Sequence, residues 1–220
     1  MHTLFYSPAA CSLAPHIVLE EIGKPFGLEL VRAGVDTVKP DWFARNPKGR
    51  VPALTGVPGS IGGGPDLLTE CNAIIIYLAR TNPEVGLVPA DPALEARMIE
   101  WMNWLAASFH AAAYASVRRP GRFLDDPALH PQLQEKGMRT VKEHCALIDR
   151  ILADGRDWAV PGGYTLADPY LFTFYVFLYR FEGFDRSPYP AWTAHAAKVL
   201  ERPAVRRALA QEGIAMDLPA

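Results

Sequence analysis

Several segments of this chain place reactive or ligand-binding residue types where local structure would sharpen them. The first is Ser7-Pro-Ala-Ala-Cys11-Ser-Leu-Ala-Pro-His16, directly after the strand-like run Thr3-Leu-Phe-Tyr6. A strand that breaks at Ser-Pro and restarts as an apolar helix puts the Cys11 thiol at a helix N-terminus. Unpaired backbone N–H groups and the positive end of the helix dipole favour thiolate there, and thiolate is the reactive form. Cys11 is therefore predicted to do thiol chemistry or to contact a sulfur ligand. The second is Leu68-Thr69-Glu70-Cys71-Asn72-Ala73-Ile74, a polar cluster before an apolar helix. Free N–H groups suit a carboxylate and Glu70 suits an ammonium, so an amino-acid headgroup matches both; a plain helix cap accounts for the same residues.

Asn46-Pro-Lys-Gly-Arg-Val-Pro-Ala-Leu54 is turn chemistry leading into a strand. Pro52 stands where a strand begins and tolerates a missing donor. A cis bond there would turn the Val51 N–H and C=O outward into a cleft; an ordinary turn with an edge proline is the plainer reading. Asn103 and His110 are seven residues apart on a helical pattern, which predicts one shared face. Gly162-Gly-Tyr-Thr165-Leu-Ala-Asp168 reads as a capping box, with Asp168 a buried structural group and not a catalyst.

The elements that must position these residues divide the chain. Residues 1–82 alternate strand-like and helical runs: strands over 3–6, 26–31, 51–55 and 67–69, helices over 12–21 and 72–80. A glycine- and proline-rich loop spans 57–65. This describes a small α/β unit. A proline-rich stretch, 83–93, reads as a linker, and everything from 94 to 220 is helical by pattern. Met98, Trp101, Met102, Leu105 and Phe109 predict one long amphipathic helix over 94–117, and Leu133, Val141, Leu147, Ile148 and Ile151 predict another over 127–152. The run 165–181 is apolar almost all round, as a buried central helix is, and two short helices close the chain near 191–201 and 204–212.

Composition narrows the partners. The chain has 220 residues, half of them hydrophobic and 21% charged, with a formal charge of −2. That balance offers no electrostatic reason to expect nucleic acid or an anionic membrane. No apolar run approaches the length of a membrane span, and no signal-peptide pattern opens the chain. Three cysteines without a CxxC pair suit free thiols in a reducing compartment, and the expected location is the cytoplasm. No metal-ligand pattern is present in the sequence.

Together, S-P-x-A-C-S-L-A-P-H, N-P-K-G-x-V-P-A-L, T-E-x-x-A-I, W-x-N-x-x-x-x-x-x-H and T-L-A-D-x-Y-L, in this order over nearly the whole chain, resemble the cytosolic glutathione transferases, most closely the bacterial beta class. The resemblance implies a thioredoxin-like N-terminal domain joined to an all-helical C-terminal domain, in a homodimer, with glutathione as co-substrate and a small hydrophobic electrophile as acceptor. It assigns Cys11, His110 and Tyr6 to the catalytic region. It gives Arg50, Val51, Pro52, Glu70, Cys71, Asn103 and Lys39 to glutathione, with Lys39 standing in for a lysine that has no clean counterpart. Phe109, Ala113, Tyr114 and Phe177 would line the acceptor pocket. Cys71 departs from the usual glycine or serine, Arg50 from glutamine, and Ala111 from a basic residue; Val117-Arg-Arg-Pro-Gly-Arg122 replaces the familiar continuation. The implied reaction is attack of the glutathione thiolate on an electrophilic carbon. The alternatives are a monothiol disulfide reductase or peroxidase acting through Cys11, and a non-catalytic ligand-binding protein.

Overall fold

A computed structural model describes residues 1–216 and 218; residues 217, 219 and 220, at the end of the expected helical unit, lie outside the described residues. Four strands, β1 (Thr3–Tyr6), β2 (Gly27–Leu30), β3 (Ala53–Leu54) and β4 (Leu68–Thr69), form one sheet in the order β2-β1-β3-β4. β1 and β2 are parallel, with Thr3 opposite Gly27, and are joined through helix α1 (Leu13–Ile22); β3 is antiparallel to both β1 and β4. Alternation along β1 sends successive side chains to opposite faces. Leu4 joins Leu54 in the large core, whereas Phe5 joins Ala53, Val51 and Trp42 in a smaller one.

Trp42 belongs to α2 (Pro40–Arg45), which covers the smaller core and packs its indole 5.2 Å from the Phe5 ring. The sequence pattern gives no sign of α2, because a six-residue helix with one buried side chain has no periodicity to read. α3 (Cys71–Arg80) lies beside α1, and both back onto the sheet through the large core.

The remaining helices are α4 (Pro92–Trp104), α5 (Ala115–Arg118), α6 (His130–Leu152), α7 (Ala167–Leu178), α8 (Pro190–Leu200) and α9 (Pro203–Glu212). All twelve residues of α7 are buried, as its apolar composition predicts. Its one carboxylate, Asp168, is fully buried and fully engaged. It accepts hydrogen bonds from the backbone N–H groups of Ala159 and Thr165, both at 2.7 Å, and lies 2.8 Å from His195 Nε2. Such satisfaction is what burial of a charge requires.

The expected single helix over 94–117 is instead α4, a π-helical stretch over Leu105–Tyr114, and α5 without a break. Hydrogen bonds from i to i+5 widen the turn and shift the phase of every side chain beyond Trp104. Seven residues then no longer amount to two turns. Asn103 and His110 accordingly do not share a face, which corrects that expectation.

Candidate active-site cleft

A cleft of about 630 Å³ opens between the sheet-bearing part and the helical part of the molecule. Its sheet-side wall carries Cys11, Arg50, Val51, Pro52, Thr69, Glu70 and Cys71; the opposite wall carries His110, Tyr114, Phe177 and a group of arginines.

The sheet-side wall is assembled by main-chain geometry. Asn46 is buried in its turn, where its side chain donates to the Arg50 carbonyl at 2.8 Å and accepts from the Lys48 N–H at 3.2 Å. The turn needs glycine at position 49, where φ is 60° and an added Cβ would come within 2.6 Å of the Phe43 ring. The Val51–Pro52 bond is cis. Beside it, the Cys11 thiol donates to the Val51 carbonyl at 3.4 Å. Glu70 holds a φ of 73°, unusual for a residue with a side chain, immediately before α3. Its exposed carboxylate meets Lys48 Nζ at 2.6 Å, and the same ammonium donates to Thr69 Oγ1 at 2.8 Å.

The helical wall is assembled from side chains. The Tyr114 ring stacks on Phe177 at 4.7 Å, and the His110 ring sits 5.4 Å from Phe177 and 5.8 Å from Tyr114. Burial, reinforced by Arg119, Arg122 and Arg50, pushes His110 down to about 4, so it is neutral at pH 7. Burial likewise pushes the Cys11 thiol up to about 11, against the opposing pull of Arg119 and Arg50, and raises Cys71 well above its ordinary value. Burial thus opposes the thiolate expected at position 11. α1 begins only at Leu13, and desolvation outweighs the neighbouring cations.

Comparison with known proteins places this cleft in a family. A model of the glutathione S-transferase N-terminal domain matches residues 9–81. Glutathione S-transferase GstA of Escherichia coli O157:H7 is 36% identical, over 96% of this chain and 98% of its own length. The chain belongs to the glutathione S-transferase family. Among solved structures, a Sulfitobacter glutathione transferase homologue with bound glutathione superposes with a TM-score of 0.86 at 31% identity, covering 98% of this chain and 99% of its own. The bacterial beta class glutathione S-transferase of Sphingomonas chungbukensis reaches 0.80 at 33% identity, covering 97% of this chain and all of its own. The fold is thus the glutathione transferase fold, a thioredoxin-like unit followed by helices.

Within this transferase, the structure relocates several of the residues singled out from the sequence. Cys11, Arg50, Val51, Pro52, Glu70, Cys71, His110, Tyr114 and Phe177 all line the one cleft. Tyr6 does not. It points to the α1 side of the sheet, with its ring 5.9 Å from that of His16, because side chains on a strand alternate. Phe109 is fully buried against Phe174 and Trp192, on the apolar stripe that its spacing predicts, and Ala113 is buried in the same core; neither lines the cleft. Lys39 is held by Asp36 at 2.6 Å, outside the lining. Asn103 is exposed and also outside it, in reach of the Asn72 side-chain amide at 3.4 Å. Several contributors escaped the sequence reading, among them Lys48, Arg118, Arg119, Arg122 and Arg180. Lys48 sits inside the Asn-Pro-Lys-Gly motif, where it passed as turn chemistry; Arg180 follows α7 by two residues and carries no local signal. Among the described residues no group of His, Cys, Asp and Glu is arranged to hold a metal, and no helix is long and apolar enough to cross a membrane.

Proposed function

We propose that the cleft binds glutathione along Cys11, Val51 and Glu70, and directs its thiolate at a small electrophile seated against Tyr114 and Phe177. The observation that carries this reading is one cleft holding the Cys11 thiol, which donates to the Val51 carbonyl at 3.4 Å, on one wall and the His110 imidazole on the other. A thiol that stays protonated near neutral pH is a hydrogen-bond donor, suited to stabilise a ligand thiolate and not to attack. A neutral imidazole can accept the proton that the glutathione thiol loses. The strand-edge N–H and C=O of Val51 fit the central peptide unit of glutathione. Glu70 and the N-terminus of α3 fit the ammonium and carboxylate of its γ-glutamyl end, with the ammonium displacing Lys48 from Glu70.

Lowering the glutathione thiol by two pKa units corresponds to about 2.7 kcal/mol of differential stabilisation. Titrating the ultraviolet absorbance of bound thiolate tests this: a thiol pKa unchanged from free glutathione would overturn the reading. Disulfide exchange through Cys11 is disfavoured by its own environment, since burial raises the thiol above its ordinary value and thiolate is the form that exchanges. The same reading makes the protein a cytoplasmic homodimer whose two units divide near residues 83–93. Equilibrium sedimentation would check the dimer.

A further inference from the structure

The cleft is far more cationic than the chain around it. Lys48, Arg50, Arg118, Arg119, Arg122 and Arg180 line it, and Glu70, itself held by Lys48, is the one acid among the lining residues. The whole chain, by contrast, carries a formal charge of −2. Most arginines elsewhere in the molecule pair with carboxylates, as in Arg32–Asp36, Arg97–Glu100, Arg139–Glu135, Arg156–Asp154, Arg202–Glu21 and Arg207–Glu20. The cleft arginines have no such partner among the described residues. Arg180 reaches the Ala9 carbonyl at 3.0 Å and Arg118 the Arg180 carbonyl at 3.4 Å, contacts that neutralise nothing.

Desolvation and mutual repulsion act on these groups. Burial, with Arg119 and Arg50 nearby, brings Arg122 down to about 10, and burial also lowers Arg119. At the inner end of the group, Tyr114 is only 6% exposed, and its hydroxyl has no hydrogen-bond partner among the described residues. Burial raises its pKa, so it is a neutral donor awaiting an acceptor. Glutathione as thiolate brings a net charge of about −2. Six lining cations set against one carboxylate exceed that, so a positive surplus persists on the helical wall.

We propose that the acceptor half of this cleft selects an electrophile that carries a carboxylate, held by Arg119 and Arg122 at the mouth and by the Tyr114 hydroxyl within, with its apolar body against Phe177. This rests on the reading of the cleft as a glutathione transferase site and narrows the acceptor from hydrophobic to apolar and anionic. Guanidinium groups match a carboxylate in geometry as well as charge, and a cleft of one sign raises the local concentration of the opposite ion.

The test compares a neutral chlorodinitrobenzene with its ring-carboxylated counterpart, each normalised to its uncatalysed rate with glutathione. The expected result is a kcat/KM at least tenfold higher for the carboxylated acceptor, shrinking as salt is raised. Arg119→Gln and Arg122→Gln should cut that preference about tenfold, acting on the acceptor KM and not on the glutathione KM. Arg97→Gln, far from the cleft and paired with Glu100, serves as the control and should leave the preference intact. Equal normalised rates for the two acceptors, or arginine variants that raise only the glutathione KM, would overturn the proposal while leaving glutathione conjugation standing. Calorimetric binding of the two preformed glutathione adducts gives a readout without turnover: tighter binding of the carboxylated adduct supports the proposal, and equal binding sinks it. Absence of conjugation with either acceptor, together with no binding of glutathione itself, would remove the underlying reading as well.

Discussion

Along the sheet side of the cleft, the groups that face a ligand are held by backbone: the cis Val51–Pro52 bond, the left-handed Glu70 and a turn pinned by Asn46. Across from it, His110, Tyr114 and the arginines face the cleft because whole helices pack in a particular phase, and because α4 passes through a π-helical stretch before α5. The first kind of wall recognises a peptide through atoms that every residue possesses. The second recognises through side chains that single substitutions alter. One protein thus holds a wall suited to a constant co-substrate opposite a wall suited to a variable one.

The largest expected effect breaks the helical wall alone. Asp168→Ala removes a buried carboxylate that holds two backbone N–H groups and His195, and should destabilise the protein by about 3–5 kcal/mol in urea unfolding. A loss under 1 kcal/mol would show that the network is not integral to α7. Next comes Gly137→Ala in α6. Alanine ordinarily favours a helix, but its Cβ would lie 2.1 Å from Ser116 Oγ on α5. The overpacking should cost about 1–3 kcal/mol and shift α5, so that acceptor KM rises while glutathione KM stays put.

Glu70→Gln sharpens the opposite wall. It should raise glutathione KM about tenfold, equivalent to about 1.4 kcal/mol, with little loss of stability, because the exposed pair with Lys48 contributes under about 1 kcal/mol. An unchanged glutathione KM would detach Glu70 from the headgroup site.

His110 offers a pH signature. Its folded pKa lies below that of the unfolded chain, so the unfolded chain takes up the proton first as pH falls. Stability should therefore drop between about pH 6.5 and pH 4, by about 1–2 kcal/mol on reaching pH 5, and His110→Gln should abolish that part of the slope. The smallest effect expected is on thiol reactivity in the unliganded protein. Alkylation at Cys11 should stay slow at pH 7 and accelerate only toward pH 11; rapid labelling at neutral pH would restore the nucleophile that desolvation argues against.

Much of this was legible in the sequence. Turn and cap signals are local, so Asn46-Pro-Lys-Gly, the residues before α3 and the Thr165–Asp168 cap announced themselves within a few positions. The buried helix α7 and the heptad-like stripe of α4 were equally plain, since hydrophobic periodicity needs no partner to be seen. Helix α2 was not, having a single apolar anchor in Trp42.

What chain order and residue type determined by themselves was the alternation of strands and helices followed by an all-helical part, because that pattern follows from short-range propensity; the cis Val51–Pro52 bond and the positive φ of Glu70 lay behind signals that fit an ordinary turn and a plain cap equally well. Tertiary structure alone decided which way the long helix turns beyond Trp104. That choice sets His110 and Tyr114 on the cleft wall while Ala113 stays buried in the core. It also set the surroundings of Cys11, where burial works against the thiolate that a helix end would favour. The gathering of Arg50, Arg118, Arg119, Arg122 and Arg180 was likewise settled only in three dimensions, since residues up to 130 positions apart share a field only once the chain has folded.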